Sequence, residues 1–259
     1  GIRFLIAGLI SVVIFRRVLH GIRWRDIGAG VAIGVMIYLG YGLQTLGLQS
    51  IDSSTSAFIT AMYVPLVPLA QWAVFRKRPP AMAFVGAGLA FVGLLFIAGP
   101  DAFALTLGAG EIATMISTVP IAAEIILISL FAGKIDLGRI TVVQLLTAGV
   151  LGLLTMPVVG EGVPEFSWVW VGCAVGLGAA SCLIQLTMNW AQKSVSPTRA
   201  TIIYAGEPVW AGVIGRIAGE RLPATALIGG ALVVLGILAS ELKLVRRRAK
   251  QEAPPEVRA

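Results

Sequence analysis

Two carboxylic acids stand inside long apolar runs of this chain. Glu207 lies near the middle of the run 199–218, and Glu124 just past the middle of the run 108–131. Neither has a Lys or Arg at its depth. An ionisable group in an apolar interior is costly, and by default it is a functional candidate. Such a carboxyl could carry a proton or meet a cationic solute. It could equally be a protonated clamp bonded to a neighbouring helix. Around the two acids, polar and aromatic residues recur at helical spacing: Tyr204 with Glu207, Gln185 with Asn189, Tyr38 with Tyr41, and Thr60 with Tyr63. Each pair shares one helix face. Facing inward, they would line a mixed aromatic and polar cavity; facing a neighbour, they would only join helices. Gln44, nearer a helix end, is a weaker candidate of the same kind.

The elements that must position these groups follow from composition. The 259 residues are 57% hydrophobic and only 13% charged, with a mean hydropathy of +0.90. A soluble domain carries about 25% charged residues and could not hide so much apolar surface. The solvent is therefore lipid. The net charge of +7 comes from short clusters between apolar runs, as in membrane loops. It does not form a patch interleaved with exposed aromatics, so nucleic acid is excluded as a partner. Cys173 and Cys182 fall about 13 Å apart along one helix, on opposite faces, and cannot bridge. His20 is the one histidine; it lies in a basic loop, so no metal cluster and no cofactor is expected.

A spanning helix needs about 20 mostly apolar residues. Nine runs qualify: 1–16, 27–48, 55–75, 81–99, 108–131, 140–159, 167–190, 199–218 and 224–242. Short connections make them antiparallel neighbours. The tail from Lys243 to Ala259 is basic, then rich in Glu and Pro, and is expected to be disordered. Alternate connections hold 17 of the 20 Lys and Arg residues, the tail included. By the positive-inside rule that side is cytoplasmic. The expectation is an integral protein of the cell (inner) membrane with its C-terminus inside and Gly1 outside. The opposite side holds Arg3, Arg216, Arg221 and the acidic loop Glu161–Glu165.

The chain also contains itself twice. Shifted by 143 positions, Gln49–Leu94 falls on Gln192–Ile237 without a gap, with 13 of 46 positions identical. Ser53 meets Ser196, Thr55 meets Thr198, Pro65 meets Pro208, and Gly86 and Gly93 meet Gly229 and Gly236. Repeats in an apolar chain are a signature of secondary transporters, with the solute site between the halves. The loop before 55–75 is read as outside and the loop before 199–218 as inside, so the halves are inverted. The second repeat begins with 108–131, whose first-half counterpart would lie before residue 1. Ten helices are thus expected in the intact protein, in two five-helix halves. The halves are 1–99, which lacks that first helix, and 108–242, with 243–259 as the tail. Because Pro65 and Pro208 coincide, and proline kinks a spanning helix, both halves should bend at equivalent depth. Pro68 adds a second proline to the first-half helix. Such bends suit gating, and they suit a static kinked bundle as well.

These residues resemble the EamA-type carriers of the drug/metabolite transporter superfamily. The resemblance is carried by Arg3-Phe4-x-x-Ala7, Glu207-Pro208-x-x-Ala211, Gly219-Glu220-Arg221-Leu222 and Gly229-Gly230-Ala231 through Gly236. It covers nearly the whole chain. One departure is that Lys77, in Arg76-Lys77-Arg78-Pro79, stands opposite Glu220. The resemblance implies an all-α polytopic membrane bundle that moves a small organic metabolite or drug-like solute by alternating access. An exporter without enzyme activity is expected, and coupling to protons through Glu207 or Glu124 is left open.

Other motifs have plainer readings. The glycines at 86, 88, 93, 176, 178, 229, 230 and 236 have neither a strand before them nor a Lys-Ser/Thr behind them, so they are packing residues and not phosphate loops. Arg16–Arg25 and Arg246–Arg248 set topology and could touch anionic lipid. Arg3 is expected to snorkel to the interface, with a substrate role as the alternative. A membrane enzyme finds no support in the motifs present. The remaining alternative is a non-transporting scaffold or a lipid flippase.

Overall fold

The computed structural model describes residues 1–51, 53–76, 78–98, 108–160, 162, 166–217 and 224–252, with backbone alone at 53, 54, 58, 98, 208, 211, 212, 215, 216 and 240–252. Lys77, the turn Gly219–Leu222, and Glu161 and Glu165 lie outside the described residues, as do the side chains of Pro208, Arg216 and Arg246–Arg248. Among the described residues the secondary structure is all helix: α1 (Ile2–Leu19), α2 (Trp24–Gly47), α3 (Ser53–Thr60), α4 (Tyr63–Phe75), α5 (Ala81–Ala98), α6 (Ala109–Phe131), α7 (Leu137–Val159), α8 (Trp168–Ala191), α9 (Pro197–Tyr204), α10 (Glu207–Ile217) and α11 (Ala224–Glu252). Four of these, α2, α6, α7 and α8, are long and apolar enough to cross a membrane. The chain is an integral membrane helical protein. Many of its large exposed side chains are apolar, among them Val13, Leu154, Val175, Leu183 and Leu227, and lipid is the solvent that covers them. Trp24, Trp168 and Trp190 are exposed at helix ends, where the bilayer interface favours their half-polar rings.

Two spans differ from the sequence reading. The runs 55–75 and 199–218 are not continuous helices: the first breaks at Ala61–Met62 and the second at Ala205–Gly206. The cause is local. A proline has no N–H for the carbonyl four residues back and crowds it; that carbonyl belongs to Ala61 for Pro65 and to Tyr204 for Pro208. At both sites the backbone tightens, with Met62 N donating to Ile59 O at 3.1 Å and Gly206 N to Ile203 O at 3.0 Å. Both prolines then sit in the first turn of the following helix, where their missing donor costs nothing. The two breaks fall within one residue of the offset that relates the repeats. The third difference is the tail: α11 continues through Glu252, because Leu, Arg, Ala, Lys, Gln and Glu are good helix formers.

The chain divides into two compact units, residues 1–46 with 119–196, and residues 47–118 with 197–259. The division cuts across the linear halves 1–99 and 108–242, for each unit takes helices from both. In the first unit, α1 lies antiparallel to α7. Gly8 faces Leu146, Gly149 faces Leu5, and Gly138 faces the Phe15 ring, each too close for a Cβ. Phe4, Ala7, Ile33, Ile37, Ile128, Leu145 and Cys182 form this unit's core. α7 starts at Asp136, whose side chain accepts from Gly138 N and Arg139 N, and it ends at Gly160 in the left-handed conformation (φ 77°), which glycine adopts without strain.

In the second unit, α5 lies antiparallel to α11 over a core of Ala87, Ala90, Leu94, Ile202 and Val233. Their crossing is reciprocal. Gly93 meets Gly229, and Gly236 meets Gly86. Since Gly86 and Gly93 are the repeat partners of Gly229 and Gly236, position i of one helix meets position j of the other and the reverse. That is the contact pattern of a two-fold axis. Repeat partners that run antiparallel about such an axis are inverted repeats.

Candidate functional site

Within the first unit, buried polar side chains link three helices. Gln144 on α7 donates through Nε2 to Gln185 Oε1 on α8 at 2.8 Å, and Gln185 donates through Nε2 to Glu124 Oε1 on α6 at 2.9 Å. All three are buried: Glu124 is 4% exposed, Gln185 2% and Gln144 0%. Among the described residues no cation pairs with Glu124. One turn further along α8, Asn189 donates to Thr141 Oγ1 at 2.9 Å, and Thr141 donates to Leu137 O. Nearby on the same helices, Ser129 donates to Gln192 Oε1 at 2.8 Å. The α8 spacing Gln185-x-x-x-Asn189 thus puts both amides on the face turned toward α6 and α7. Buried groups of this kind are held by hydrogen bonds because each unmet bond is expensive in lipid. One is unmet: Gln144 Oε1 is buried and has no partner.

Tyr38 and Tyr41 on α2 are in the same unit, half-buried against its core. Tyr41 packs edge-on to Phe4, with ring centroids 5.2 Å apart. Together with Leu39, Thr45, Thr155 and Val159 they border a cavity of about 280 Å³. That is near the lower end of the roughly 300–1,000 Å³ of small-molecule sites. Arg3 also borders it. The expectation that Arg3 snorkels is corrected: its Nε donates to the buried Ser181 Oγ, and its guanidinium lies over the Phe4 and Tyr41 rings at 5.1 and 5.2 Å. The short α1–α8 approach, with Gly178 against Arg3 O and Ile6, is what turns it inward.

The remaining candidates belong to the second unit and sit on its two helix breaks. Thr60 ends α3 and Tyr63 begins α4; Tyr204 ends α9 and Glu207 begins α10. Thr60, Tyr63, Tyr204 and Pro65 are half-buried. Glu207 is not mid-helix; it is the first residue of α10 and is exposed. A carboxylate there complements the positive end of the helix dipole, so its charge is better tolerated than depth alone implied. Ser56 on α3 and Thr201 on α9 carry buried hydroxyls with no partner. Gln71 on α4 reaches across to α9, where its Oε1 accepts from Thr198 N at 2.9 Å and from Thr198 Oγ1 at 2.7 Å. Gln71, Gln144, Thr141 and Ser181 had no place among the sequence candidates. Gln144 and Gln71 had a signal, each being an amide inside an apolar run; Thr141 and Ser181 had none beyond their type.

Comparison with other proteins agrees with this architecture. An uncharacterized transporter of Archaeoglobus fulgidus is 26% identical over 247 residues, spanning 94% of this chain and 76% of its own. A second uncharacterized transporter of that organism is 38% identical over 74 residues, 28% of this chain and 26% of its own. A crystal structure described only as that of a protein superposes with a TM-score of 0.77 at 17% identity, covering 93% of this chain and 86% of its own; that likeness concerns the fold alone. The profile of the EamA-like transporter family matches residues 1–99 and 108–241. The chain belongs to the EamA-like transporter family and is a membrane transporter.

Proposed function

We propose that the chain is a proton-coupled secondary transporter that exports a small organic solute from the cytoplasm across the cell (inner) membrane by alternating access. It works without enzymatic chemistry, and its C-terminus is on the cytoplasmic side. The observation that carries this reading is the chain Glu124–Gln185–Gln144 with its unmet end. With Glu124 ionised, both amides donate toward it and Gln144 Oε1 is left bare. With Glu124 protonated, its O–H donates to Gln185 Oε1, both amides reverse, and Gln185 Nε2 supplies Gln144 Oε1. The reversal satisfies Gln144 Oε1 and passes the open end of the chain to Gln144 Nε2, so the two protonation states present opposite polarity at that end. Proton binding thus changes which way three helices are tied together.

The broken helices supply the moving parts. Each presents a helix N-terminus at its break, the arrangement by which transporters hold charged groups of a solute at mid-depth. Thr60, Tyr63, Tyr204 and Glu207 stand at those ends in the second unit; within the first unit, Gln185, Asn189, Tyr38 and Tyr41 are the candidate solute contacts. Pro65 and Pro208 fix where the helices flex. The excess of basic residues on alternate connections supports the sidedness.

Thermal melting of the purified full-length protein tests the solute part of this reading. The screen uses amino acids, nucleosides, sugars and organic cations, run on wild type, Glu124→Gln and Glu207→Gln. A compound that binds the folded state raises the melting point. The expected result is a shift whose size depends on pH in wild type and not in Glu124→Gln. Lower melting of both variants with no shift from any compound would favour the scaffold or flippase instead.

A further inference from the structure

Arg3 is a cation on the wall of a cavity. Among the described residues no carboxylate pairs with it. Its Nε is occupied by Ser181, which fixes the plane of the guanidinium. Ser181 itself is buried and is anchored in turn by donating to Leu177 O at 2.7 Å. The Phe4 and Tyr41 rings lie under the guanidinium. Aromatic faces attract a cation and leave its edge free. A guanidinium held at Nε keeps its two terminal nitrogens side by side, the fork that matches a carboxylate with two parallel hydrogen bonds. The rest of the wall is aromatic and apolar, from Tyr38, Tyr41, Leu39 and Val159, with the hydroxyls of Thr45 and Thr155.

We infer that this cavity is a carboxylate subsite, in which the terminal nitrogens of Arg3 take the carboxylate of a small solute and Tyr38 and Tyr41 take its apolar body. This deepens the transport reading by naming a chemical class for the solute, and it rests on that reading only for its role in transport, since binding can be measured without flux. The site differs from the Glu124 chain: Glu124 is tied into the hydrogen bonds of α6, α7 and α8, and Arg3 meets the solute's carboxylate.

The experiment compares matched pairs that differ only in charge. Benzoate is set against benzamide, phenylacetate against phenylacetamide, and hexanoate against hexanamide, each titrated into the full-length protein while its melting point is followed. At least one carboxylate should raise the melting point where its amide does not. Arg3→Gln should weaken its apparent affinity by about ten- to a hundredfold, the worth of a charge-assisted hydrogen bond or two. Because Arg3→Gln also frees Ser181 and could disturb folding, Gly42→Leu serves as the second variant. A Cβ at Gly42 meets only the Tyr38 ring at 3.9 Å, so a side chain fits there and fills the cavity with Arg3 intact. It should abolish the shift at unchanged melting point. Equal shifts from acid and amide, no shift from any acid, or an acid shift that survives both variants would overturn the inference. If the acid binds as expected and no flux follows in vesicles, the subsite stands and the transport role fails.

Discussion

Replacing Gly93 with alanine adds one methyl group to the α5–α11 seam at a point where the backbones already touch. The new Cβ would lie 2.6 Å from Gly229 O and 2.8 Å from Val233 N. Both are main-chain atoms, so no side chain can swing away. To go from 2.6 Å to the 3.4 Å at which ordinary contact begins, the helices must part by about 0.8 Å. A gap of that size forfeits a quarter to a half of the dispersion energy of the atoms that line it. Overpacking of this kind costs about 1–3 kcal/mol, offset in part by the roughly 0.5–1 kcal/mol that alanine gains over glycine inside a helix. Gly88, on the same helix, is the control: it is exposed, and a Cβ there meets nothing within 4 Å. Thermal unfolding of the purified full-length protein in detergent, followed by circular dichroism, should show Gly93→Ala melting below wild type and Gly88→Ala at or above it. The double variant Gly93→Ala/Gly229→Ala should lose less than the sum of its parts, because one parting of the helices relieves both contacts. If Gly93→Ala melts level with Gly88→Ala, the reciprocal seam is not as close as described.

Two further outcomes concern hydrogen bonds. Gln185→Leu strands both the Glu124 carboxyl and the Gln144 amide in an apolar interior and should cost about 1–3 kcal/mol in melting experiments, whereas Gln185→Leu/Glu124→Leu/Gln144→Leu should recover most of that, since removing all three members leaves nothing unsatisfied. Gln71→Ala removes the acceptor that caps α9 and should cost about 0.5–2 kcal/mol; Gln71→Glu should retain stability, because a carboxylate also accepts and suits a helix N-terminus. Equal losses in Gln71→Ala and Gln71→Glu would show that Gln71 acts through packing and not as a cap.

The helical, membrane-spanning character was legible from apolar run lengths, and the nine runs recur as helices or pairs of half-helices. The repeat was legible too, because Gly86, Gly93, Gly229 and Gly236 are fixed by a backbone contact that tolerates no Cβ. The breaks were only half legible. Pro65 and Pro208 announce a bend, but whether a proline kinks a helix or ends it depends on how neighbours satisfy the freed carbonyl, and that is tertiary. Glu207 was misplaced for this reason, since a continuous 199–218 puts it at mid-helix. The pairing of Glu124 with Gln185 needed the packing of α6 on α8, which no periodicity within one helix reveals. Arg3 was misread because snorkelling and inward stacking share one sequence signal, an arginine at a helix end. What separates them is the small Gly178 on α8.

The central claim, that Glu124 couples a proton to solute movement, is tested most directly in sealed vesicles. Full-length protein is reconstituted with a trapped pH-sensitive dye, and solute and proton fluxes are recorded together for the compound that gives the strongest flux in the amino acid, nucleoside, sugar and organic cation panel. The account predicts that a solute gradient drives a matching pH change in wild type, and that Glu124→Gln abolishes the pH change while the protein remains folded. Solute flux without any proton movement, undiminished in Glu124→Gln, would contradict it.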